Sequence, residues 1–365
     1  MEITVLQIED AIDVLKGIME MHNVDRLLVV HGKNSYMACG GNELMSQLYD
    51  VHNMEIAGFS DFSTDPKIED VYKGADLVKQ YQPDAIIAIG GGSTMDMAKL
   101  LRHTAGMKEI PLIAIPTTSG TGSETTQFAV CFINGEKKSI DFPHMLPNYE
   151  ILIPELTMSN SRYLTACTGF DAMAQAVESY WNIHATEKSE EYAKEALILL
   201  IRRLTQFATD PELCMADQYW RADMMKGANL SGKAINITRT TAPHAMSYKL
   251  TSEYGYPHGH AVALTFPYFA KLNMECPLHQ YAGTDYLHYT EKMRWLKYCF
   301  GITNQDIESY FQSFTIKIGL GINKDTKVDA GLIASSVNVE RAANNPHVLT
   351  AEIINQAAES ILEMK

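Results

Sequence analysis

Two stretches of this chain carry residue types and spacings suited to holding a phosphate. The first, Gly90-Gly91-Gly92-Ser93-Thr94-Met95-Asp96-Met97-Ala98-Lys99, follows directly on an apolar run that ends at Ile89. Consecutive glycines let backbone N–H groups approach an anion closely, and a helix opening there aims its positive end at the same point. The spacing matches neither GxGxxG nor a Walker loop, so taken alone the run also describes a tight strand-to-helix turn. The second, Ile115-Pro116-Thr117-Thr118-Ser119-Gly120-Thr121-Gly122-Ser123-Glu124, is rich in small hydroxyl and glycine residues and ends the next apolar run. Two such loops at the carboxyl ends of parallel strands form the crevice in which α/β sheets bind ligands.

Further along, Asp171 and Gln175 stand four residues apart, so on a helix they project from one face and can grip the same ion. Alone, Asp171 also reads as an acid in the first turn of a helix, where the dipole favours negative charge. His244 and His258 follow, fourteen residues apart, with His260 just beyond. Lys233 and Arg239 precede His244, and two cations here in an acidic protein suggest a place for an anionic substrate group. A structural ion pair or a solvated face is the plain alternative.

The elements that must position these residues fall into two halves. Arg26–Val30, Asp84–Ile89 and Ile110–Ile115 are short aliphatic runs bounded by Gly and Pro, which predict buried parallel strands flanked by helices. From about Ser159 long helix-period segments take over. We therefore expect an α/β Rossmann-like nucleotide-binding domain over residues 1–155 and an all-α metal- and substrate-binding domain over 156–365. A chain of 365 residues, 46% hydrophobic, is long enough for two cores. With no Gly/Ser linker between them, the halves are expected to pack around a shared cleft. No stretch has the apolar length of a membrane helix and the start lacks a signal peptide's pattern, so a cytoplasmic location is expected. The six cysteines are scattered and read as reduced core fillers. A formal charge of -14 argues against nucleic acid or an anionic membrane as partner.

GGGSTMDMAK followed by IPTTSGTGSE resembles the paired cofactor signatures of the iron-containing (group III) alcohol dehydrogenases, and the resemblance extends over nearly the whole chain. It implies NAD or NADP as cofactor, with Gly91, Gly92, Ser93 and Asp96 at the pyrophosphate and Thr117, Thr118, Thr121 and Lys138 on the nicotinamide and ribose side. It implies a divalent metal, Fe²⁺ or Zn²⁺, on Asp171, His244, His258 and position 175, and a homodimer. His31-Gly32-Lys33 ends the first strand where NAD-preferring relatives place an Asp, which admits NADP.

The chain departs from the pattern at two points. Gln175 stands where the family has histidine, and an amide oxygen is a harder, weaker ligand than imidazole. Tyr248 replaces a histidine near the metal, which leaves proton delivery open between Tyr248, His260 and water. Arg239 stands where simple alcohol dehydrogenases have small, uncharged residues. Together these features are similar to the phosphonoacetaldehyde reductase branch, and imply reduction of a small anionic aldehyde, phosphonoacetaldehyde, to 2-hydroxyethylphosphonate, with Arg239 on the anion. Other readings are a general alcohol dehydrogenase, a glycerol-1-phosphate dehydrogenase or dehydroquinate synthase relative, and a non-catalytic nucleotide-binding protein with a decayed metal site.

Overall fold

The computed structural model describes residues 1–64, 66–323, 325–337 and 342–364. Its contacts divide the chain into two compact units: Met1–Asn160 with Met215–Asn229, and Ser161–Cys214 with Leu230–Lys365. Among the described residues, no helix is long and apolar enough to cross a membrane.

Among the described residues the first unit holds eight strands: β1 (Glu2–Thr4), β2 (Arg26–His31), β3 (Glu55–Phe59), β4 (Ala85–Gly90), β5 (Leu112–Pro116), β6 (Phe128–Ile133), β7 (Glu136–Asp141) and β8 (Tyr149–Leu152). Six of them form one sheet in the order β1-β8-β5-β4-β2-β3, every pair parallel. The central strands β4 and β5 are buried along their whole length. Their side chains alternate between two cores: Ile87, Ile89, Ile113 and Ile115 pack on one face, and Ile86, Ala88, Leu112 and Ala114 on the other. That two-sided burial is why they read as unbroken apolar runs. β6 and β7 form an antiparallel hairpin whose Asn134-Gly135 turn has φ of 54° and 79°. Positive φ at both turn residues matches the twist of the strands it joins.

A buried polar network fixes the glycine loop relative to its neighbours. Lys99, fully buried, donates to Ser123 Oγ (2.8 Å), Thr126 Oγ1 (3.0 Å) and Phe128 O (2.9 Å). On the same helix, Gly92–Thr104, Asp96 lies one turn before Lys99 and accepts from Ser123 Oγ (2.5 Å) and Val130 N (2.9 Å). Burial pulls the Lys99 ammonium down to about 8 and pushes the Glu124 carboxyl up to about 7. Asn229 Nδ2 donates to both Glu124 Oε1 and Glu150 Oε2.

The second unit is helical. Its central helix, Arg162–Trp181, opens with Ser161 accepting from Leu164 N and is buried almost continuously from Thr165 to Trp181. Helix Ala242–Tyr254 carries Pro243 in its first turn and ends at Gly255, whose φ of 70° is left-handed. Pro257 then caps helix His258–Met274. This helix–turn–helix run is what separates His244 and His258 in sequence while starting a helix at each. Gly259 sits against the central helix so closely that a Cβ there would overlap the Cys167 carbonyl and stand 3.1 Å from Asp171 Cβ.

Gly259→Ala should therefore lower stability by about 1–3 kcal/mol, because the clash is with backbone. Chemical denaturation checks it, and an unchanged midpoint would mean that the two helices have room to separate. The Glu124 carboxyl gives a second test. The folded chain keeps its proton after the unfolded chain has released it, so this group's contribution to stability falls as pH rises from its ordinary 4.5 towards 7 and is flat above. Glu124→Gln removes the slope, so unfolding free energies should shift in the variant's favour across that window. A difference independent of pH would contradict the assignment.

Candidate functional site

The two loops expected to bind phosphate begin at the carboxyl ends of β4 and β5. Gly91 precedes the helix and its carbonyl accepts from Thr94 N and Met95 N, so the helix opens at Gly92 with its first N–H groups pointing outward from the loop. Thr117 N donates to Gly90 O (2.9 Å), which stitches the second loop to the first. A Cβ on Gly92 would stand 2.8 Å from Thr121 Oγ1, and one on Gly91 3.4 Å from Thr118 Oγ1. The backbone is thus laid bare where an anion would need it, and the residues present fit a pyrophosphate.

The structure brings Gly91, Gly92, Thr117, Thr118 and Thr121 together. It gives other members of the expected set to the protein itself. Ser93 Oγ donates to Thr64 O, and both carboxylate oxygens of Asp96 accept from Ser123 and Val130. Lys138 lies on β7 with its ammonium on Glu136 (2.5 Å). At the end of β2, Lys33 pairs with Asp61 (3.0 Å), which Lys73 also contacts, so a carboxylate from beyond β3 stands where the strand itself supplies none.

In the second unit, Asp171 is the centre of a buried cluster. Its Oδ1 lies 3.1 Å from His244 Nε2 and 3.9 Å from His258 Nε2, and donor atoms of the three residues all fall within 4.8 Å of one another. Asp171 and His244 are buried, whereas the His258 side chain keeps 29% of its surface, so the cluster is approachable from that side. Gln175 is next to it: its Nε2 donates to Asp171 Oδ2 (3.1 Å), and its Oε1 accepts from Ser231 Oγ (3.2 Å).

Glu178 completes the arrangement. It is fully buried and accepts from Thr241 N (2.6 Å), from Thr241 Oγ1 (3.0 Å) and from the Nδ1–H of His244. A carboxylate on the far nitrogen of an imidazole fixes its tautomer and aims the other nitrogen at a cation. Burial alone would lower His244, but the Glu178 and Asp171 carboxylates outweigh it and hold the imidazole up to about 9. Two buried carboxylates and one histidine carry excess negative charge, which suits a divalent cation. The sequence held a signal for Glu178 that composition does not show: at i+7 from Asp171 it shares the face of Asp171 and Gln175. For Ser231, which reaches the cluster from another helix, it held none.

The remaining expected residues have mixed placements. Tyr248 stacks over His258, rings 6.5 Å apart and 19° from parallel. His260 has both nitrogens engaged: Nε2 donates to Gly321 O (3.0 Å), so Nδ1 accepts from Tyr163 Oη (2.8 Å). Burial holds His260 below its ordinary value. Arg239 follows helix Gln218–Thr238 in a left-handed conformation, φ 67°, and its Nη1 caps that helix on Asn236 O (2.8 Å) and Ile235 O (3.3 Å).

Comparison with known proteins places this geometry in context. The chain is 29% identical over 313 residues to aldehyde-alcohol dehydrogenase 2 of Entamoeba histolytica, an alignment covering 78% of this chain and 35% of that protein. The chain thus spans about a third of that relative's length. It is 28% identical over 316 residues to phosphonoacetaldehyde reductase of Streptomyces viridochromogenes, covering 79% and 78%. An iron-containing alcohol dehydrogenase of Thermotoga maritima superposes with a TM-score of 0.83 at 26% identity, over 99% of this chain and 97% of that one. Residues 4–154 match the family model of iron-containing alcohol dehydrogenase, and residues 165–328 match that of the Fe-containing alcohol dehydrogenase family, C-terminal. With the residues expected at both sites inside those matches, the chain belongs to the iron-containing alcohol dehydrogenase family.

Proposed function

We propose that the chain reduces a small anionic aldehyde to its alcohol with NADH or NADPH, assisted by a divalent cation, and that phosphonoacetaldehyde, reduced to 2-hydroxyethylphosphonate, is the substrate. The observation that carries the reading is the convergence of Asp171, His244 and His258 within 4.8 Å beside a buried second carboxylate. When bound, the cation supplies Lewis-acid polarisation of a carbonyl oxygen, and the nicotinamide supplies hydride. The chain's own residues do the rest. The N–H groups at Gly91 and Gly92 hold the pyrophosphate. Asp171, Gln175, His244 and His258 hold the cation, with Glu178 keeping the His244 proton on Nδ1.

For the proton that the product oxygen needs, Tyr248 is better placed than His260, whose nitrogens are both engaged. Asp61, shared by Lys33 and Lys73, leaves one positive charge in excess at the end of β2, which suits a 2′-phosphate and favours acceptance of NADPH. Arg239, five residues ahead of His244, is the residue we assign to the substrate's anion. The phosphonate reading is supported by the 28% identical Streptomyces relative. A second reading, a neutral aldehyde, is favoured by one observation: Arg239 Nη1 already caps its own helix.

NADH and NADPH oxidation with phosphonoacetaldehyde and with propanal, on protein stripped of metal and resupplied with Fe²⁺, Zn²⁺ or Mn²⁺, tests both. Activity restored by metal and favouring the phosphonate is expected, with Arg239→Ala raising KM for that substrate about 10-fold or more and sparing propanal. Equal loss on both aldehydes would leave Arg239 a helix cap and favour the neutral substrate. No turnover with any metal would overturn the reductase reading.

A further inference from the structure

Gln175 stands where the family's pattern has an imidazole, and its amide has two ends of nearly equal shape and opposite chemistry. Only the oxygen can bind a cation. Which end faces Asp171 is settled by what the other end meets, and that is Ser231, fully buried and supplied by helix Gln218–Thr238. Ser231 Oγ lies 2.8 Å from Ala172 O and 3.2 Å from Gln175 Oε1.

A hydroxyl has one proton and cannot serve both carbonyls fully. The shorter contact is to Ala172 O, and when the proton goes there the lone pairs of Oγ face the amide. An amide oxygen in that position is acceptor against acceptor. A half-turn about the last side-chain bond relieves this: Nε2–H donates to Ser231 Oγ, whose own proton stays on Ala172 O. The same half-turn puts Oε1 beside Asp171 Oδ2, two oxygens with no proton between them. In a buried place, with Gln175 only 4% exposed, that arrangement is tolerated when a cation is shared between the two oxygens.

We propose, on the reading that Asp171, His244 and His258 hold a divalent cation, that Ser231 is a positioning residue for it: by accepting from Nε2 it presents Gln175 Oε1 as a fourth donor. Cation binding and the amide's orientation are then linked, each favouring the other. The resulting set has two oxygen and two nitrogen donors, which shifts preference towards harder ions such as Mn²⁺ relative to an imidazole at position 175.

The test is calorimetric titration of Mn²⁺ and of Zn²⁺ into chelator-stripped protein, in a double-mutant cycle of Ser231→Ala and Gln175→Leu. Ser231→Ala should weaken Mn²⁺ binding about 10- to 100-fold, the range for loss of a group that orients a ligand. In the Gln175→Leu background, where there is no amide to orient, the same change should be nearly silent. Ser231→Cys, which keeps the volume but accepts weakly, carries the same expectation if the alanine variant does not unfold cooperatively. An unchanged Mn²⁺ affinity in Ser231→Ala, or an equal loss in both backgrounds, would overturn the role of Ser231 while leaving the cation site intact. If unsubstituted protein bound neither ion, the cation reading itself would fall, and this one with it.

Discussion

Two carboxylates buried on one face of one helix are the constraint around which the second unit is organised. Asp171 and Glu178 are 2% and 0% exposed, and an ionised carboxylate in such surroundings is costly unless paired and hydrogen-bonded. Much of the local architecture answers that requirement. Thr241 caps Glu178 with both its N–H and its hydroxyl, His244 bridges the two acids, and Gln175 donates to the first. Gly259 lets the helix that bears His258 come near enough to join them. The result is a rigid set of donors in a protected place, the support a cation needs if its geometry is to be held.

The first unit solves a different problem, how to leave backbone N–H groups uncovered without loosening the loops that carry them. Its answer is to bury a cation. Lys99 ties the loop at Ser123 and Thr126 and the start of β6 to the helix that follows the glycines, and Asp96 ties the same loop and hairpin one turn earlier. Sequence reasoning gave Asp96 a place among the cofactor contacts. Its geometry is that of a residue that positions the loop, with both oxygens given to the protein.

What was legible in the chain follows from burial. β4 and β5, covered on both faces, announce themselves as aliphatic runs, and the helical half is plain from its period. β3 is short and mostly exposed at the sheet's edge, and β1 and β8 have three and four residues, too few to show a pattern. The β6–β7 hairpin did carry a signal, Asn134-Gly135 between two strand-like runs. The clustered residues Asp171, His244 and His258 were visible through their resemblance to a known pattern, and Glu178 was readable from helical spacing. Ser231 and Tyr163 were not, because their roles arise only when separate helices meet.

The central claim is that the Asp171 cluster is a cation site. Anomalous diffraction from crystals grown with Zn²⁺ or Mn²⁺, recorded on either side of the metal's absorption edge, tests it most directly. The account predicts a peak about 2.0–2.3 Å from an Asp171 carboxylate oxygen and from one nitrogen each of His244 and His258. The absence of a peak there, with His244 Nε2 still hydrogen-bonded to Asp171, would contradict it.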